Sequence, residues 1–586
     1  MEHEAARAVS AGPKITNGTN PGVFVKDDAT AAAYKTERMD AYCNKVQPPT
    51  AHKQLHKFIL RQFIQCIELD TGVKAKSVHM PSFQDIEDAR TKPLQKARAE
   101  TYGRNGEVEA ASARIELKNE VAHKIVSPRG ITCLEYELGI ESGRLGKLLK
   151  RIVEKCRWFN PGDNPEQIAD SIRHCATMGA DAARLSPLVT SGGHAADYAK
   201  MDETHSEFTN TIVRSVIEYF AAESCVAEAL ETYDKVFNMA ATLHKKKLST
   251  GWKNSSGSGI TTELNTIVSA FREMVTTSIA MVLPFAAEGT AKKLSIKHPM
   301  SANVFKTAMV AAQTQAYTHL FIPQDEGRLL RMAYRYIGPK FGDDSLDPAI
   351  PLVTDEMWLM CSRYLTQCDG MKTDVEFIST LPSNPQPWEY LSRMYPSPIA
   401  SGTSYCKIEK ALDKLSISIN SDPERYALKC RGYWTVDSKT PVVNAYLMAM
   451  ARIHDFELDP LIPDEKTLDE LYYADRDLYY KVKAGPYPTD EQSEELLFET
   501  AAKQLAFGTG TELQQFMEGL SKATTRKEMA EFKLPLVPGS AVKVDPPNTT
   551  RVAASSGQVT LEQQPRASRP SARKSRPKRT ANDAGR

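Results

Sequence analysis

No two of the ten cysteines stand in a C-x-x-C arrangement. Neither a zinc knuckle nor a thioredoxin-like redox pair is therefore written here, and free thiols in a reducing compartment are expected. Long apolar runs are missing too. The longest, Ile279 to Ala287, is about half of a bilayer span, and Pro284 interrupts it. The chain opens Met1-Glu2-His3-Glu4, charged and without an apolar stretch, which argues against a signal peptide. No membrane-spanning helix is expected in this chain. No repeat of fixed period is present, and net charge is only +1, so global charge does not point to nucleic acid.

What is present is size and asymmetry. A chain of 586 residues predicts about three to four compact units. Apolar content of 41% and charged content of 25% are ordinary for a globular protein. From Gly539 onward, ten Lys or Arg face only Asp545, Glu562 and Asp583, so this tail carries +7 and the remainder −6. Residues 1–45 are rich in Ala, Gly, Thr and charge and read as an arm or poorly ordered lead. Residues 46–535 alternate helical stretches with short strand-like runs. Residues 536–586 are rich in Pro, Ser, Arg and Lys and too poor in large apolar residues to offset chain entropy, so a disordered basic tail is expected.

Periodicity predicts three helices. Phe208, Ile212, Val213, Val216, Ile217 and Phe220 share one face, and Ile260, Leu264, Ile267, Val268, Phe271, Met274 and Val275 share another. A third runs from the N-cap Thr354 to the C-cap Gly370. After about 400 the chain reads as mostly helical.

Four polar clusters punctuate this pattern. Asp197-Tyr-Ala-Lys-Met-Asp202 puts two carboxylates five residues apart, suited to bracket a strand end. Ser255-Ser-Gly257-Ser-Gly259 feeds a helix that carries Thr261 and Asn265 one turn apart on one face. Its glycines allow close backbone approach to a phosphate or base, but no Lys-Ser/Thr follows, so it is not a P-loop. Phe341-Gly-Asp343-Asp344 concentrates negative charge in a turn, costly unless a cation sits there. Lys118, Lys124 and Arg129 are spaced basic residues suited to line a triphosphate channel. Each cluster alone is a common surface arrangement; their order sets them apart.

Lys118/Arg129, Asp197/Asp202, Ser256-Gly257-x3-Thr261-x3-Asn265 and Gly342-Asp343-Asp344 resemble motifs F, A, B and C of the RNA-dependent RNA polymerases of positive-strand RNA viruses. Asp369-Gly-Met-Lys372 looks like motif D, and Tyr390-Leu-Ser-Arg-Met-Tyr-Pro396 like motif E. That last stretch, with Lys414–Ser418 and Gly432–Asp437, is most similar to nodavirus-like polymerases. The resemblance covers roughly 110 to 450.

The resemblance implies an α+β, mostly helical right hand with a small antiparallel palm sheet. Fingers would occupy 46–195 with parts of 225–330, the palm 196–260 and 331–399, and a helical thumb 400–535. It implies nucleotidyl transfer with Mg²⁺, or Mn²⁺, held by Asp197, Asp343 and Asp344. Lys372 would protonate pyrophosphate. Lys118, Lys124 and Arg129 would meet the triphosphate, and Asp202, Ser256, Gly257, Thr261 and Asn265 the nucleotide and its ribose. Partners would be RNA template and product, nucleoside triphosphates and other viral replication proteins, in the host cytoplasm or at membrane-associated replication complexes reached through a partner. Departures exist. Pro339 requires the strand entering Gly-Asp-Asp to be short or on an edge, and the interval from Asn265 to Asp343 is long. The membrane anchor and capping region of nodavirus replicases are not expected in this chain.

The competing reading is a non-catalytic RNA-binding or assembly protein with a polymerase-like body; it would have no need of Asp197, Asp343, Asn265 and Arg129 together. Reverse transcription is disfavoured by Asn265 and Asp202, which suit a 2′-hydroxyl. His52 and His56, one turn apart, lack further ligands and read as an exposed helix face. Trp388 and Trp434 read as thumb core, and Gly508-Thr-Gly510 as a turn.

Overall fold

The computed structural model describes residues 9–17, 22–24, 28–40, 47–90, 95–96, 100, 113–117, 121–122, 128–243, 246–251, 253–286, 289, 293–314, 326–379, 386–418, 422–536 and 551–553. Lys118, Lys124 and the basic run 566–579 lie outside the described residues.

A four-stranded antiparallel sheet lies at the centre. Its strands are β1 (Ser191–Tyr198), β2 (Lys340–Phe341), β3 (Asp344–Pro348) and β4 (Thr373–Ser379), in the order β4-β1-β3-β2. Pro339 leaves its mark as the sequence requires. β2 is two residues long and at the edge, and the Pro339 carbonyl accepts from Leu346 N at 3.1 Å while offering no N–H of its own.

Helices flank the sheet. They are α1 (Thr50–Thr71), α2 (Tyr136–Val153), α3 (Pro165–Leu185), the one-turn α4 (Met201–Thr204), α5 (Glu207–Phe220), α6 (Thr261–Val282) and α7 (Asp355–Asp369). α3 covers one face, where Ile172, Cys175 and Ala176 pack with Leu346, Ile378 and Trp388. α6 and α7 pack together on the other side, joined to the core of α1, α2 and α5. Residues Leu264 to Val282 of α6 are all buried. One described helical stretch, Thr261–Phe285, is long and apolar enough to cross a membrane, and it lies wholly inside this core. The caps of α7 are those expected: Thr354 Oγ1 accepts from Met357 N at 3.2 Å, and Gly370 closes the helix at φ +76°.

Among the described residues beyond 400, eight α-helices from Ile408–Ser416 to Arg526–Glu531 share a second apolar core. Trp434 packs against its margin, whereas Trp388 belongs to the cluster under the central sheet, a correction to its expected place. Thr509 caps the helix Gly510–Ser521, and Glu512 and Glu499 take the N–H groups of Gly508 and Gly510, so this Gly-Thr-Gly is a capped turn.

One further expectation is corrected, and the described terminal segments carry contacts of their own. His52 and His56 are not exposed: α1 is covered on several sides, and both rings pack among Phe208, Phe271 and Tyr364. Burial pushes His52 down to about 4 and His56 well below its usual range, keeping them neutral. The amino-terminal arm is not a loose lead over its described parts. Val9–Ser10 pairs with Ile417–Ser418, Ile15 enters the second core, and Arg38 reaches Glu203 at 2.8 Å. Within the tail expected to be disordered, Arg551–Ala553 pairs with Gly22–Phe24. Backbone pairing needs few large apolar side chains, so composition did not reveal either contact.

Candidate active site

Register across the sheet aligns acids. Asp344 lies directly opposite Asp197 on one side, and Asp374 lies opposite it on the other. Cross-strand partners stand about 5 Å apart at Cα and share a face, so three carboxylates line up abreast. Asp343 adds a fourth from the turn. Asp344 pairs with Phe341, leaving Gly342-Asp343 as a two-residue loop, and Gly342 takes φ +66° at its first position, where glycine costs least. Gly342 N donates to Thr266 Oγ1 of α6 at 2.9 Å, which pins this turn from below.

The electrostatics follow. Burial, then Asp202 and Asp197, raises Asp343 to about 6, and Arg129 opposes this. Burial, then Asp343 and Asp197, raises Asp344 to about 7, with Lys410 opposing. Both side chains keep solvent-accessible surface while protein closely surrounds them. That combination describes a recess open to water. Hard carboxylate oxygens crowded against like charge fit a divalent cation such as Mg²⁺, which would be held by Asp197, Asp343 and Asp344.

Lys200, at φ +56°, turns the chain sharply after β1, so that Asp202 on α4 faces α6. There Asp202 Oδ1 accepts from Asn265 Nδ2 at 2.8 Å and from Asn254 Nδ2 at 3.0 Å. The two clusters that hold Asp202 and Asn265 thus meet. Thr261 serves its own loop. Its Oγ1 contacts Ser255 O at 3.1 Å and Ser258 Oγ at 3.0 Å. Ser256 O accepts from Thr132 N at 2.6 Å, which lays the loop along the strand Gly130–Cys133 that follows Arg129. Gly257, at φ +103°, lies so close to Ile131 and Thr132 O that a Cβ would collide with the Ile131 side chain. Lys372 is exposed beyond α7. Arg272 holds its neighbours, pairing with Asp369 at 2.7 Å and donating to Thr373 Oγ1 at 2.7 Å.

Sequence reasoning missed Asp374, Asn254, His205 and Thr266 near this site. Only register or packing between distant segments brings them in. It also missed a buried cluster beneath the sheet, where ligand atoms of His194, Glu273 and Asp347 lie within 4.8 Å of one another. Lys340 Nζ contacts both Asp347 oxygens and Ser345 Oγ, so an ammonium already supplies the cation there. Burial opposes the charge on Glu273, yet His194, Lys340 and Trp358 hold its carboxyl down to about 2.

No family model matches the chain. The RNA-directed RNA polymerase of Pieris rapae virus is 22% identical over 347 residues, 58% of this chain and 28% of that protein. That of Pariacoto virus is 28% identical over 158 residues, 26% of this chain and 15% of that protein. These matched stretches span under a third of the curated relatives' length. Among solved structures, the RNA-dependent RNA polymerase of a human picobirnavirus has a TM-score of 0.44 at 12% identity, over 84% of this chain and 79% of that one. Its insertion-loop deletion mutant has a TM-score of 0.43 at 12% identity, over 82% of each chain. By these sequence matches, the chain is similar over part of its length to viral RNA-directed RNA polymerases.

Proposed function

We propose that this chain is an RNA-dependent RNA polymerase that copies a positive-strand viral RNA genome by two-metal nucleotidyl transfer. The observation that carries this reading is the alignment of Asp197 with Asp344, and of Asp343 beside them, at the rim of one sheet. These three acids, with Asp374 on the other side of Asp197, destabilise the site unless it binds cations. A binding module has no need of that arrangement, nor of the Asp202–Asn265 clamp next to it.

In this reading the central sheet is the palm, residues 400–535 form the thumb, and 46–190 with parts of 225–330 form the fingers, because β1 begins at Ser191, ahead of the expected palm boundary at 196. When bound, Mg²⁺ or Mn²⁺ supplies activation of a 3′-hydroxyl and neutralisation of departing pyrophosphate. Arg129 meets the triphosphate as a fork, and Lys118 and Lys124 are assigned to the same triphosphate by the sequence resemblance alone. Ser256 and Gly257 offer a loop against the nucleotide, with Thr261 fixing the loop's shape. Asp202 and Asn265 read the ribose 2′-hydroxyl, the carboxylate accepting and the amide donating. Lys372 delivers a proton to pyrophosphate. RNA template and product and nucleoside triphosphates are the ligands, and other viral replication proteins in the host cytoplasm are the partners.

The test is incorporation of labelled nucleotides on matched RNA and DNA templates with Mg²⁺. Wild type extends on RNA. Asp343→Asn abolishes extension while RNA binding stays within about threefold of wild type. Near-normal synthesis by that variant removes the metal assignment, and no synthesis by wild type on any RNA template favours the binding-protein reading.

A further inference from the structure

Asn265 is held from two sides. Its Nδ2 donates to Asp202 Oδ1 at 2.8 Å, and its Oδ1 lies 2.8 Å from Nε2 of His205. His205 is fully buried, and burial drives its imidazole down to about 4 against the raising effects of Asn265 and Glu203. The ring is therefore neutral at physiological pH and carries one N–H. An amide oxygen only accepts, so the contact fixes that proton on Nε2, and His205 donates.

The backbone gives His205 little freedom. It lies between α4 and Ser206, which caps α5 by accepting from Thr209 N. One helical turn separates it from Asp202, so Asp202 and His205 reach the Asn265 amide together. Asn254 completes the set: its backbone N donates to Asp202 O at 2.9 Å, and its side chain to Asp202 Oδ1.

We infer that His205 is a positioning residue for sugar selection, acting through Asn265 by holding its amide so that one N–H braces Asp202 and the other is presented to the ribose 2′-hydroxyl. This inference rests on the polymerase reading above. Without His205 the amide oxygen keeps only a long contact from Asn254 Nδ2 at 3.4 Å, so the amide can swing about χ2 and a 2′-hydroxyl loses a fixed donor. A deoxyribose has no such hydroxyl and is indifferent to the swing. Loss of His205 therefore penalises ribonucleotides selectively.

The experiment measures kcat/KM for GTP and dGTP on one RNA template with Mg²⁺, together with the melting temperature. His205→Phe keeps a planar ring and removes the donor; His205→Leu is the second donor-free variant should Phe not fold. His205→Gln restores an N–H at about the reach of Nε2. We expect the GTP/dGTP ratio to fall about tenfold in the donor-free variant, the worth of one lost hydrogen bond. In His205→Gln it stays within about threefold of wild type. In an Asn265→Ala background, His205→Phe leaves the ratio unchanged, because its route of action is gone. A folded donor-free variant with the wild-type ratio overturns the inference. So does an equal drop in both rates with the ratio preserved, which marks a residue serving the fold. A wild type that incorporates neither nucleotide overturns instead the polymerase reading beneath it.

Discussion

Replacing Asp344 by Asn should stabilise the metal-free protein. Burial, then Asp343 and Asp197, raises this carboxyl from 3.8 to about 7, so the native state binds its proton far more readily than the unfolded chain does. A raised acid costs nothing below its unfolded value, where both states are protonated. The cost grows as pH rises from about 4 and is complete above about 7. A shift of about 3 units corresponds to a ceiling of about 4 kcal/mol. The side chain is exposed to water, and screening there reduces the expected cost to about 1–2 kcal/mol. The assay is thermal and urea unfolding of wild type and Asp344→Asn in chelator between pH 5 and 8, repeated with Mn²⁺. The variant should be the more stable above pH 7, and the gap should close toward pH 5. Mn²⁺ should stabilise wild type more than the variant, because a cation relieves the same repulsion. Identical pH slopes in chelator, with no gain from Asn, would refute the claim that this carboxylate is strained by its neighbours.

Three other outcomes follow from the same structure and sequence. Lys340→Met should destabilise the protein by about 3–5 kcal/mol in urea melts, since it strands Asp347 uncompensated in the core, and adding Asp347→Leu should recover part of that loss. Removing residues after about 540 should weaken RNA binding and flatten its salt dependence, read by filter binding across a salt series, while extension on pre-bound template persists. Divalent-metal affinity, measured by titration, should fall steeply as pH drops from 7 to 6, because Asp343 and Asp344 take up protons there.

What could be read from the sequence was local. The caps Thr354 and Gly370 and the apolar faces of α5 and α6 follow from near neighbours in the chain, and the structure has them. The spacing from Ser256 to Asn265 is likewise one loop and one helical turn. The missed features depend on distant partners. Asp374 matters only because β4 pairs with β1 in a register that sets it beside Asp197. His205 gains meaning only from an amide 60 positions away. Periodicity showed that His52 and His56 lie on a helix, but not on how many sides that helix is covered. The Thr261 hydroxyl bonds the loop that precedes it, a contact that spacing alone does not reveal.

One helix ties these parts together, and its spacing explains how. Asn265 and Arg272 stand seven residues, about two turns, apart on one stripe of α6; Thr266 and Glu273 occupy the adjacent stripe. The first pair reaches Asp202 and the segment around Lys372. The second reaches the Gly-Asp-Asp turn and the buried His194 network. This helix, buried from Leu264 to Val282, thereby sets the distance between the Asp202–Asn265 pair and the carboxylates. Thr266→Val tests this coupling, because it keeps the shape and deletes the acceptor for Gly342 N. An unmet buried N–H costs about 1–3 kcal/mol. The two-residue turn can avoid that cost only by moving, and Asp343 moves with it. The expected result is a drop of about tenfold in single-turnover rate at saturating GTP. RNA affinity should stay unchanged, and Thr266→Ser should be near wild type. A Val variant with the wild-type rate would show that the turn is held by its own strands and that α6 positions only Asp202.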